Sequence, residues 1–212
     1  MGRKLPWNRI LIRSGFRLRQ DGESFDLSAE YLDNRKYLKK LYREYVVRAG
    51  IDPASHKYIL TPDRFVPGIA EVDEDIWLDT VESIHGGAEG GYPYELFILD
   101  TYMAGLVRAI DDLGLKTCYS CDGHDSEPPS IGFNNKCDEA IFFFLCKSTR
   151  VNAAHPQRPV FPRQRPSWGG ALEIQMNRRV LPDFAEQIVG KQQELRDWVK
   201  HSRAIWAAME AS

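Results

Sequence analysis

The 212-residue chain reads as an α+β protein, one mixed α/β domain over residues 1–212 in which a small sheet packs against three main helices. Three observations predict this. Apolar residues recur at helical spacing in three segments, short β-prone runs lie scattered between them, and the length suits one ordinary core. With 43% hydrophobic and 27% charged residues, the composition is that of a globular chain rather than a disordered one.

The first helix is expected over residues 30–49, where Leu38, Leu41, Tyr42, Tyr45 and Val46 share one side and Gly50 and Pro53 stop the helix. The second is expected over 93–113. There Leu96, Leu99, Met103, Leu106, Ile110 and Leu113 repeat at steps of three and four, Pro93 suits the first helical position, and Gly114 suits the left-handed residue after the last turn. The third is the C-terminal segment, with Asp183 as N-cap and Glu186 as its capping-box partner. Phe184, Ile188, Leu195, Trp198, Val199, Ile205, Trp206 and Met209 fall on one face, so this helix is expected to dock along its length.

Strands are expected at 57–60, 115–120, 130–133 and 171–176. The run 140–146 has the aromatic content of a buried strand, but Asp138 and Glu139 ahead of it suit a helix N-terminus, and it is read as helix. Residues 149–170, with four prolines, are expected to form a long, irregular, basic loop. Arg158, Arg163 and Arg165, with Phe161 and Trp168, supply the groups that grip phosphate and stack on a base; a plain connector is the competing reading.

Charge is segregated along the chain. Six basic residues (Arg3, Lys4, Arg9, Arg13, Arg17, Arg19) precede the first acid, Asp21; residues 65–107 hold nine acids and no Lys or Arg; residues 140–172 hold five basic residues and no acid. Such blocks either neutralise one another in the fold or present a basic surface to a nucleic acid or another anionic ligand. The longest apolar run, 140–146, falls far short of the ~20 residues that cross a bilayer, and the first residues lack the apolar stretch of a signal peptide. A cytoplasmic protein without a membrane partner is therefore expected.

In a reducing cytosol four cysteines are free thiols or metal ligands. Cys118-x-x-Cys121-x-x-His124 places three ligands of zinc-binding type within seven residues, with Cys137, Cys146, His85, His155 or water to complete a tetrahedron. In a regular strand Cys118 and Cys121 face opposite sides, so a shared metal requires a local change of backbone direction, for which Asp122-Gly123 is suited. Two other readings stand beside this one. In the first, Cys121 is a nucleophile paired with His124, which Asp122 orients; in the second, the thiols are simply buried. The Gly-rich segment 83–91 is read as a linker, with His85 as a candidate ligand.

Around these residues, Leu113-Gly-Leu-Lys-Thr-Cys-Tyr-Ser-Cys-Asp-Gly-His124 resembles the Ser-Cys-x-Gly segment of the tRNA wybutosine-synthesizing protein 3 family, at Ser120, Cys121 and Gly123. That family usually has Arg where this chain has His124. The resemblance implies an α/β methyltransferase-like protein that binds S-adenosylmethionine and modifies tRNA. Taken together, the sequence points to a Cys/His site, zinc-binding by its residue types, acting on a nucleic acid or nucleotide-like substrate, with RNA modification as the reaction class. The alternatives are a non-catalytic module whose structural zinc supports contact with nucleic acid or protein, and a purely structural subunit.

Overall fold

The computed structural model describes residues 2–52, 54, 56–86, 96, 99, 103–122, 128–148, 161–164, 172–176 and 180–211, with 161–164 and 172–175 described by backbone. The fold is α+β, as the sequence predicts. Among the described residues it comprises seven helices and three antiparallel sheets, where the sequence reading names three main helices, a further helix at 140–146 and one small sheet. Contacts within the chain gather into two compact units, Met1–Thr101 and Tyr102–Ser212.

In the N-terminal unit, strand β1 (Lys4–Pro6) leads directly into helix α1 (Trp7–Arg13) and pairs with β6 (Glu71–Asp73). A second sheet has the order β2 (Arg19–Asp21), β3 (Ser24–Asp26), β5 (Arg64–Val66), β4 (Ile59–Leu60). Helix α2 (Leu32–Arg48) packs on α3 (Glu74–Gly86). Trp7 is the hub of the core: its ring lies 5.3 Å from Tyr42, 5.3 Å from Phe65 and 5.5 Å from Trp77.

Large amphipathic rings fill this core because their polar atoms all find partners. Trp7 Nε1 donates to the Ile69 carbonyl at 2.9 Å and Trp77 Nε1 to Ser14 Oγ at 2.8 Å, while the Tyr42 and Tyr45 hydroxyls accept the Gly68 and Asp73 N–H groups at 3.0 and 2.9 Å. Two ion pairs, Arg13–Glu74 and Lys4–Asp73, join the basic start of the chain to the acidic block. At these positions the blocks neutralise each other rather than presenting a basic face.

Helix α2 stops where Gly50 predicts. With φ at +65°, Gly50 donates to the Val47 carbonyl and Ile51 to that of Val46, the paired bonds that close a helix through a left-handed residue. Helix α3 was not anticipated, although Trp77, Thr80, Val81 and Ile84 form its buried stripe at helical spacing.

In the C-terminal unit, helix α4 spans Ala104–Asp112, so only the second half of the expected 93–113 helix is described as helical; Leu96 and Leu99 are described outside it. Gly114 (φ +86°) closes α4 by the same paired bonds, from Gly114 to Asp111 and from Leu115 to Ile110. The four-stranded sheet runs β7 (Thr117–Cys121), β8 (Ser130–Phe133), β10 (Leu172–Gln175), β9 (Phe161–Gln164). At residues 161–164, strand β9 corrects the expectation of an irregular 149–170 loop: its backbone pairs with β10, from Phe161↔Gln175 to Gln164↔Leu172, while 149–160 and 165–170 lie outside the described residues.

The run 140–146 lies in helix α5 (Lys136–Ser148), capped by Asn135, whose Oδ1 accepts the Asp138 N–H at 2.7 Å. The C-terminal helix differs from expectation in two ways. It begins at Leu181, ahead of Asp183, with Pro182 in its first turn, and it breaks at Lys191 into α6 (Leu181–Gly190) and α7 (Gln192–Glu210). Within α7, Val199 is buried whereas Ile205 and Met209 are 49% and 70% exposed, so α7 does not dock along its whole length.

Candidate functional site

Strand β7 carries the cysteine segment, and two packing devices fix its position. Gly114 turns the chain out of α4 immediately before it. Arg203 on α7 holds that turn by donating Nη2 to the Gly114 carbonyl at 2.7 Å, and also bonds the Asp138 carboxylate through Nε (3.1 Å) and Nη2 (2.5 Å). Asp138 further accepts the Lys116 N–H at 3.1 Å, one residue before β7, and Asn135 Nδ2 at 3.1 Å.

The register with β8 decides which way each β7 residue faces, because paired residues of antiparallel strands share a face and alternate along the strand. Ile131 and Phe133 are buried, and Phe133 lies 5.1 Å from Phe142 of α5. Their partners, Ser120 and Thr117, therefore belong to the helix-covered face. Tyr119 pairs with Gly132 and Cys121 with Ser130, which places both on the opposite face.

Cys118 is the residue that breaks the alternation. The register passes from Thr117↔Phe133 to Tyr119↔Gly132, so Cys118 is the extra residue of a β-bulge. Its Sγ lies 3.6 Å from the point that a Cβ on Gly132 would occupy, the same distance as Tyr119 Cβ. Cys118 and Cys121, which a regular strand would direct to opposite faces, thus share the face that also bears Tyr119. The change of backbone direction comes within the strand, ahead of Cys121, rather than from the following Asp122-Gly123 pair.

Cys118 is exposed, and Cys121 and Asp122 are half-buried. Ser120, half-buried, is on the other face and is not brought together with the two thiols. Gly123, His124, Arg158, Arg165 and Trp168 lie outside the described residues, as does His155; Arg163 is placed by its backbone in β9, opposite Glu173. Among the described residues, no group of three or more His, Cys, Asp and Glu side chains is disposed to hold a metal.

The remaining candidate ligands have other surroundings. Cys146 is buried in α5, where loss of hydration pushes its thiol well above the usual range, and the half-buried Cys137 is raised for the same first reason, with Asp138 adding to it. Cys146 matches the buried-thiol reading. His85 belongs to the N-terminal unit, its Nε2 2.8 Å from the Tyr37 hydroxyl. Sequence reasoning missed Tyr119, 42% exposed beside the thiols; its signal was an aromatic residue between the two cysteines of a β-prone run. Compared with protein-family models, curated proteins and solved structures, the chain matches none.

Proposed function

We propose that the C-terminal unit carries a Cys/His metal site on the face of its sheet turned away from α5, and that this face acts on a nucleic acid or nucleotide-like substrate. The observation that carries the reading is the bulge at Cys118, which puts the thiols of Cys118 and Cys121 on one face. His124, three residues after Cys121, is the third ligand, and two thiolates with an imidazole suit zinc. In this reading Asp122, next to Cys121 in sequence, supplies a carboxylate that orients the His124 imidazole.

Support for an anionic substrate comes from the acid-free basic block of residues 140–172, whose strand β9 lies in the same sheet. The resemblance at Ser120, Cys121 and Gly123 adds tRNA as the substrate to test and S-adenosylmethionine as the methyl donor to titrate. The primary test is elemental analysis of protein purified without a metal-binding tag. One zinc per chain is expected, lost in Cys118→Ser, Cys121→Ser and His124→Ala; wild-type protein that holds no metal after zinc addition refutes the site.

A further inference from the structure

We infer that the N-terminal unit carries a binding site of its own, a small pocket on α2 that takes a monocarboxylate with an apolar body. The pocket has a volume of ≈ 270 Å³ and is lined by Tyr42, Arg43, Val46, Val47, His56 and Tyr58. That lies just under the roughly 300–1,000 Å³ of sites for drug-sized ligands, so a small molecule fits it. Its walls follow from helical spacing, since residues four apart are neighbours on a helix: Tyr42 and Val46 form one row, Arg43 and Val47 the next. Tyr58 closes the far side, its ring 4.6 Å from that of Tyr42. Tyr42 and Val46 are buried and form the apolar floor, while Val47 is 67% exposed at the mouth.

Charge selects the ligand. Of the three arginines on α2, Arg35 pairs with Asp63 and Arg48 with Glu44, whereas Arg43 has no carboxylate partner among the described residues. None of the six lining residues is an acid. Arg43 is nonetheless held in place: its Nε donates to the Tyr58 hydroxyl at 3.2 Å. That bond leaves Nη1 and Nη2, an end-on fork whose spacing matches the two oxygens of a carboxylate. The Tyr58 hydroxyl, having accepted, keeps its own proton to donate to the same anion. An apolar floor beneath one guanidinium calls for a hydrocarbon or aromatic body that carries a single negative charge. A phosphomonoester brings roughly two and leaves the second uncompensated against apolar walls, which weakens binding.

The test is isothermal titration calorimetry of the full chain with octanoate, octanol, octyl phosphate and acetate, using wild type, Arg43→Gln, Tyr58→Phe and Val47→Trp. Octanoate is expected to bind once per chain and more tightly than octanol or octyl phosphate, and acetate, which lacks the apolar body, not to bind. Arg43→Gln should weaken octanoate about 10- to 150-fold and leave octanol near its wild-type value. Tyr58→Phe, which removes the group that orients Arg43, should weaken octanoate about 2- to 12-fold. Val47→Trp, which puts an indole into the mouth, should abolish binding of both octanoate and octanol. Arg43 and Val47 are exposed, so their variants should keep the wild-type circular dichroism. Octanoate bound no more tightly than octanol, or equally by wild type and Arg43→Gln, overturns the carboxylate assignment. Octyl phosphate bound as tightly as octanoate overturns the single-charge assignment, and binding undiminished in Val47→Trp overturns the location. Wild type that binds neither octanoate nor octanol overturns the site.

Discussion

Replacing Arg203 with Met should destabilise the C-terminal unit and loosen the strand that bears the candidate site. Arg203 donates two bonds to Asp138, whose side chain is 3% exposed, and one to the Gly114 carbonyl; its own side chain is 39% exposed. Breaking a fully buried ion pair costs about 3–5 kcal/mol because a charge is stranded. Here Asp138 keeps the Lys116 and Asn135 donors, and water reaches the position of the guanidinium, which moves the loss to the lower end, about 3 kcal/mol. Methionine preserves much of the apolar stem contact, so the difference reports the charge and its hydrogen bonds. Urea unfolding followed by circular dichroism should show the midpoint falling with little change in slope. Because Gly114 precedes β7, labelling of Cys118 should quicken in the same variant. A loss below ~0.5 kcal/mol, the range of exposed surface pairs, would refute the argument that this pair ties α7 to the start of β7.

Three further outcomes are expected. With a thiol-reactive dye in native buffer, Cys118 should label first and Cys146 only on unfolding, since Cys146 is buried and its thiol is held protonated by lost hydration; equal labelling of both, read by peptide mapping, would contradict the packing of α5. Burial raises the pKa values of Tyr37, Tyr42 and Tyr45 above the usual value near 10. Their contribution to stability is therefore complete below about pH 10 and is lost as pH rises toward the folded-state values, so a late fraction of tyrosinate absorbance should appear together with loss of helical signal. Gly114→Ala should cost about 1–2 kcal/mol, because φ of +86° disfavours any residue with a Cβ; a variant that melts with the wild type would show that the turn adopts another conformation.

What the sequence discloses depends on how local the deciding contacts are. Gly50 and Gly114 mark helix ends because the closing bonds lie within one turn, and 130–133 reads as a strand from its own apolar content. Strands β1 and β6 are only three residues each and become strands by pairing Lys4 with Asp73 across most of the N-terminal unit, a contact no local pattern announces. Helix α3 has a legible stripe at Trp77, Thr80, Val81 and Ile84, which its acidic character obscures in a reading led by charge. The break at Lys191 follows Gly190, yet the apolar pattern continues through it, so one long helix and two shorter ones share the same periodicity. At the candidate site, the spacing of Cys118, Cys121 and His124 is legible in the sequence, but the face that Cys118 occupies depends on its pairing with β8. Alternation alone directs it to the wrong face.

The most direct test of the shared thiol face is cobalt(II) titration of metal-free protein under reducing conditions, followed by visible and near-ultraviolet absorption. With both sulfurs and an imidazole on one ion, a thiolate-to-cobalt charge-transfer band and the intense visible bands of a tetrahedral site should saturate at one equivalent. The charge-transfer band should drop by about half in Cys118→Ser and in Cys121→Ser, and zinc should displace the cobalt. A spectrum without the charge-transfer band, or one unchanged by either substitution, would contradict the account.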